Sequence, residues 1–137
     1  MSLMKVEYQG GYHTQALHID SKTQIETDAP KDNQGRGESF SPTDLLATSL
    51  ASCKLTIMAM KAKTLGLEEE MKGIEVQVQK IMTKSPPRKV AEIVLTFDWK
   101  GMDKKISTEN LEALKQAAKT CPVALSLDPS VVQTMVW

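Results

Sequence analysis

The stretch from Pro42 to Leu65 constrains this chain more than any other. Ser41 stands ahead of Pro42, a residue suited to the first helical position, and Asp44 completes a Ser-x-x-Asp capping box. Gly66 offers a stop just past the far end. Between these signals apolar residues surround most of the axis until Lys61. The pattern predicts a helix over Pro42–Leu65 that is central and buried, because no polar stripe runs along it to face water.

The rest of the chain supplies strands and shorter helices. Lys5–Gln9 alternates in polarity, Gly10-Gly11 turns the chain, and Tyr12–Ile19 and Gln24–Thr27 continue the alternation. Residues 28–41 carry Gly, Pro and Asn without a period and are expected to form a loop, of a length that often serves as a lid or a site wall. Glu68-Glu69-Glu70 reads as a solvated connection. Ile74, Val76 and Val78 alternate with Glu75, Gln77 and Gln79, the mark of a half-buried strand. The Ser85–Lys89 turn leads to a strand over Val90–Lys100, and a helix is expected over Thr108–Lys119, with Leu111, Leu114 and Ala118 on one side. A short helix opens at Pro122, and Val131–Val136 is a closing strand. The expected class is α+β, with antiparallel sheets around the long helix, in a single domain over the 137 residues.

Charge excludes some partners. Seventeen basic and 17 acidic residues cancel, so nothing draws the chain toward nucleic acid or an acidic membrane surface. No apolar run is expected to span a bilayer, and no signal-peptide core is expected at the N-terminus. Met1-Ser2-Leu3 ahead of Met4 reads as a cloning scar. The expected compartment is a reducing cytoplasm, where two cysteines are better read as catalytic or redox-sensing than as a structural disulfide.

Those two are Cys53 and Cys121. Cys53 follows Ser41 through Ser52 in the opening turns of the long helix, and Cys121 precedes Pro122 at the start of the short one. A thiol facing unpaired backbone N–H groups at a helix N-terminus is favoured as thiolate. Each has a blander reading. Cys53 shares a helix face with Leu46, Leu50, Ile57 and Met60, as a small buried hydrophobe would. An apolar setting raises a thiol pKa, so reactivity would need a cation beside it. Cys121 is equally well read as an N-cap substitute.

Other candidates are sparse. Arg36 and Arg88 are the only arginines. Arg36 lies in the loop before the long helix between Gly35 and Gly37, with Glu38 as a nearby carboxylate, and a solvated loop charge is its simplest role. Asp44 is accounted for by the capping box. His13 and His18 fall on opposite strand faces and make no metal pair. Met58 and Met60 read as core filler, and Glu68–Glu70 with Lys104 and Lys105 as solvated surface.

The run Ser41-Pro42-Thr43-Asp44-Leu45-Leu46 … Ala51-Ser52-Cys53, followed by Cys121-Pro122-Val123-Ala124-Leu125, resembles the OsmC/Ohr family. The order of strands, long helix, hairpin, helix and last strand is similar too, so the resemblance covers essentially the whole chain. It implies an intertwined homodimer with sites at the subunit interface. It also implies a thiol peroxidase for organic hydroperoxides, with no metal or organic cofactor. Cys53 matches the peroxidatic cysteine and Cys121 the resolving one, which would condense to a disulfide that a dithiol such as a dihydrolipoyl group reopens.

Two positions depart from the family pattern. The family's peroxidases carry an arginine just after an N-terminal glycine-rich turn; here that stretch is Gly10-Gly11-Tyr12-His13, and Arg36 is the expected substitute, ahead of His13. The carboxylate that orients the arginine usually lies ten residues before the first cysteine; here Thr43 holds that place and Asp44 comes nine before. This spacing is closer to the OsmC-like branch than to Ohr. The expected site is therefore Cys53, Cys121, Arg36 and Asp44. The rival reading is a non-enzymatic dimer that senses redox state or binds a small hydrophobic ligand.

Overall fold

The computed structural model describes residues 1–137, which divide into two compact units, Met1–Leu46 and Ala47–Trp137. The first unit is an antiparallel sheet in the order β1 (Met4–Tyr8), β2 (His13–His18), β3 (Gln24–Asp28). Gly10 and Gly11 form the first turn with φ of 84° and 59°, values that disfavour a side chain. Opposite Val6 stands Ala16, and opposite Ala16 stands Ile25. With period-two alternation this collects Met4, Val6, Tyr8, Ala16 and Ile25 on one face. Four of them are well exposed: Met4 and Val6 at 65%, Tyr8 at 64% and Ile25 at 49%.

The loop expected over 28–41 contains one short 3-10 turn, Lys31–Asn33, and otherwise folds back on itself. A Cβ at Gly35 would sit 1.6 Å from the Ala29 carbonyl oxygen, so only glycine permits this return. Gly35 N–H donates to Pro30 O at 3.0 Å and Gly37 N–H to Ala29 O at 3.2 Å.

Helix α1 (Pro42–Thr64) begins where the capping chemistry places it. The Asp44 backbone N–H donates to Ser41 Oγ at 3.0 Å, and the Ser41 N–H donates to Asp44 Oδ2 at 2.9 Å, the reciprocal pair of a capping box. At the far end Gly66 takes φ 73°. Its N–H donates to Lys63 O at 3.2 Å and the Leu67 N–H to Ala62 O at 2.8 Å, which together make a Schellman stop.

In the second unit α1 buries one stripe, Ala47, Leu50, Ala51, Lys54, Met58 and Ala62. The expectation of a helix buried around its axis is corrected on this point. Met58 is fully buried, whereas Met60, expected in the core, is 60% exposed, and Leu46 is 38% exposed. Offsets of three and four from the buried stripe never reach Met60, so it points away from it. The expectation that no apolar run could span a bilayer is also corrected: α1 passes on length and composition, with a mean hydropathy of 1.2. A third of that window is buried within the structure.

The second sheet runs β4 (Glu75–Met82), β5 (Val90–Asp98), β6 (Val132–Val136). β4 and β5 are antiparallel, with a register shift between Ile81 and Met82, but β5 and β6 are parallel. The expectation of antiparallel sheets is thus met in the first sheet and corrected in the second. The cause is the connection after β5, which carries α2 (Thr108–Ala118) and α3 (Pro122–Ser126) and so forms a crossover that returns the chain in the same direction. Val78 is 37% exposed although it was expected to face inward, because β4 is an edge strand. Ile93, Leu95 and Phe97 of β5 fill the core. Phe97, Trp99 and Trp137 stack beside it, with centroids 4.5 Å apart for Phe97–Trp137 and 6.0 Å for the other two pairs.

The stop of α1 is a sharp test of these local rules. A Cβ at Gly66 would meet no atom within 4 Å, so the penalty for Gly66→Ala is backbone strain alone. Urea unfolding should show a loss of about 1 kcal/mol with an unchanged m-value, the scale of a non-glycine residue held left-handed.

Candidate functional site

Cys53 lies about three turns into α1. The helix dipole acts only over the first turn, so it does not activate this thiol, contrary to the expectation drawn from the opening turns. Cys121 is placed as expected. It N-caps α3, with its Sγ accepting the Ala124 backbone N–H at 3.2 Å, and it is wholly buried. The fold brings Cys53 near enough to Cys121 to act on its titration, and both thiols are free. Burial pushes the Cys121 thiol above its ordinary range. The Cys53 sulfur adds to the rise, while the Ala124 N–H and the charge of Lys54 oppose it. Cys121 therefore holds its proton more firmly than an ordinary thiol does.

Lys54 is the residue that sequence reasoning missed. It follows Cys53 on α1, is 1% exposed, and donates from Nζ to the Ala118 carbonyl oxygen at 2.9 Å. Ala118 ends α2 three residues before Cys121, so the ammonium sits at the negative end of that helix. Burial holds Lys54 below the usual lysine range, and the two thiols, Cys121 and then Cys53, draw it back up. A signal was present: from Leu45 to Met60 it is the single charged residue in an otherwise uncharged run.

The polar cluster of the first unit is built at the ends of β2 and β3. His13 Nδ1 donates to Asp28 Oδ1 at 2.6 Å, and His13 Nε2 lies 3.5 Å from Glu26 Oε1. His18 is engaged separately, with Ser21 Oγ at 2.7 Å from its Nδ1. The Asp28 side chain is 4% exposed and also accepts the Glu38 backbone N–H at 3.0 Å. Glu38, a reserve carboxylate in the sequence, thus meets the cluster through its backbone. The Arg36 guanidinium lies against Gly11: a Cβ there would be 3.1 Å from Nη2 and 3.7 Å from Cζ. Its charge also lowers the Asp28 pKa, behind the larger effect of the His13 hydrogen bond. Arg36 therefore occupies the glycine turn at which the family's arginine was missed, reached from the other side of the sheet sequence. Asp44 stands in the capping box.

The His13–Asp28 pair has a defined pH window. The hydrogen bond to Asp28 raises the His13 pKa above 6.5, so that contribution is complete below 6.5 and is lost as pH rises through the raised value. Asp28 is lowered from 3.8 by the same bond, so its contribution holds above 3.8 and is lost as pH falls through the lowered value. His13→Asn should therefore destabilise the protein most between pH 3.8 and 6.5, with the difference from wild type shrinking in alkaline buffer, as read by thermal unfolding across pH.

The family profile described as OsmC-like protein matches residues 35–135. A Psychrobacter arcticus protein named for the osmotic stress induced and detoxification response is 43% identical, over 99% of this chain and 95% of that one, with a TM-score of 0.86. An organic hydroperoxide resistance protein OsmC from Legionella pneumophila shares the fold at 17% identity and a TM-score of 0.75, over 99% and 95% of the two chains. The organic hydroperoxide resistance protein OhrB of Bacillus subtilis does so at 18% identity and 0.63, over 99% and 96%. A comparison with curated proteins finds no significant match. With a profile that spans most of its length and a fold shared from end to end, the chain belongs to the OsmC-like protein family.

Proposed function

We propose that this protein is a cysteine-based peroxidase that reduces organic hydroperoxides. The observation that carries the reading is that two free thiols far apart in sequence, Cys53 and Cys121, come near enough for one to act on the other. Cys53 is the attacking thiol: its thiolate forms a bond to the outer peroxide oxygen, the O–O bond breaks, and an alkoxide leaves as Cys53 becomes a sulfenic acid. Cys121 then attacks the Cys53 sulfur, hydroxide leaves, and protonation completes water and alcohol. A dithiol reductant reopens the disulfide, in keeping with a reducing cytoplasm. Arg36 is the cation assigned to the thiolate and the departing alkoxide, and Asp44 is its orienting carboxylate. Support for Arg36 comes from its place against the Gly10-Gly11 turn.

The test uses reduced protein and about one equivalent of cumene hydroperoxide, with Cys121→Ser to trap the sulfenic acid. Mass spectrometry should find the modification on Cys53, and Cys53→Ser should stop peroxide consumption. Arg36→Ala should slow the reaction roughly ten- to a hundredfold, the scale for one lost charge partner. Unabated peroxide loss in Cys53→Ser would sink the assignment. Failure of wild type to consume peroxide at all would favour the redox-sensing or ligand-binding dimer.

The chain is further proposed to act as a homodimer. The exposed face of Met4, Val6, Tyr8 and Ile25 supports this, since a contiguous apolar sheet face is unusual on a monomer. Sedimentation at micromolar concentration should give one dimeric species, and Val6→Glu should shift it toward monomer. A wild-type monomer at that concentration would refute the assembly.

A further inference from the structure

The peroxidase reading leaves Lys54 unexplained. A buried ammonium is costly unless an anion or several acceptors face it. The Ala118 carbonyl supplies one acceptor at 2.9 Å. The titratable groups that act on Lys54 are the two thiols, Cys121 more strongly than Cys53, and no carboxylate is among them. Its place next to Cys53 on α1 and at the α2 terminus ahead of Cys121 sets it between the two sulfur-bearing segments. The countercharge that such a lysine needs is thus a thiolate, and the lysine offers a thiolate in an apolar setting a second cation beside the one assigned to Arg36.

We propose that Lys54 is the proton carrier of the thiol pair: its ammonium neutralises the Cys53 thiolate in the reduced protein, and the same proton leaves with the products when the pair is oxidised. The second half rests on the peroxidase reading. The balance is complete. The reduced site holds Cys53 as thiolate, Cys121 as thiol and Lys54 as ammonium, with no net charge. The hydroperoxide brings one hydrogen on its outer oxygen, which stays in the sulfenic acid. The alkoxide and the hydroxide released in the two steps each need one proton. Cys121 supplies one as it becomes the attacking thiolate, and Lys54 supplies the other. Disulfide, alcohol and water result, two electrons pass from sulfur to the peroxide, and Lys54 is left as a neutral amine facing no anion. Reduction by a dithiol returns the proton. A lysine whose burial favours the neutral form suits this cycle, because the amine is tolerated once the anion is gone.

Lys54 could instead only staple α1 to the end of α2, and the experiment separates the two roles. In Cys121→Ser protein, the pH profile of Cys53 alkylation is compared with and without Lys54→Met. The charge role predicts a midpoint higher by about one unit and roughly tenfold slower alkylation at neutral pH, with the profile restored by Lys54→Arg. A staple predicts lower stability and an unmoved profile, which would overturn the proposal. Where the variants fail to fold, wild-type protein with ¹³Cε-labelled lysine decides: the Lys54 signal should titrate at lower pH in the Cys53→Ser protein and in the peroxide-oxidised protein than in the reduced wild type. An identical titration in the reduced and Cys53→Ser proteins would overturn the pairing, and an ammonium that persists in the disulfide form would overturn the proton release. Alkylation needs no peroxide, so inactivity toward hydroperoxide with a shifted profile would defeat the peroxidase reading alone, and normal peroxidase activity with an unmoved profile would defeat the Lys54 role alone.

Discussion

The hydrogen bond from Lys54 Nζ to Ala118 O ties the long helix to the end of α2, and the arrangement of the second unit around the thiols depends on it. It closes a stripe that begins at Ala47 and ends at Ala62, in which every other member is Ala, Leu or Met. A single long polar side chain in that stripe would be destabilising if its head group found no partner. Here the head group reaches a helix C-terminus, where carbonyl groups lack intrahelical donors and the dipole favours a cation. Because Lys54 is next to Cys53 and Ala118 is three residues from Cys121, satisfying one ammonium also draws the segments that carry the two distant thiols together.

Electrostatics in the first unit follow a different design. Asp28 is nearly inaccessible, and its charge is met by His13, by the Glu38 backbone N–H and by Arg36. The backbone makes this possible. Gly35 lets the loop return past Ala29, and Gly11 leaves room for the guanidinium of Arg36. A side chain at Gly35 would collide with backbone that cannot yield, and one at Gly11 would be strained at φ 59° and press on the guanidinium, so the position of the arginine is encoded in residues that carry no functional group.

The departure from the family pattern at the N-terminal turn takes a concrete form in these terms. The residue after Gly10-Gly11 is Tyr12 and not arginine, yet a guanidinium lies against that turn, delivered by the loop before α1. Similar surroundings have been reached from a different point in the chain. The thiol pair has gained a cation of its own in Lys54, which moderates the rise that burial imposes on Cys121.

What the sequence by itself determined lies within a few residues of its signals. Ser41, Pro42, Asp44 and Gly66 set the limits of α1, because caps are hydrogen bonds between near neighbours and leave little to the rest of the fold. Alternation set most strands, and Cys121 before Pro122 set the start of α3. The family motifs were legible for the same reason. Tertiary structure alone decided which side of α1 is buried, since uniform apolarity carries no preferred face, and it turned Met60 outward. It decided that β6 joins β5 in parallel, a consequence of the helical crossover rather than of the strand's own residues. It also decided the meaning of Lys54. A lone lysine in an apolar run is visible in the sequence, but its partner lies 64 residues away, and only packing at that range could show what its charge faces.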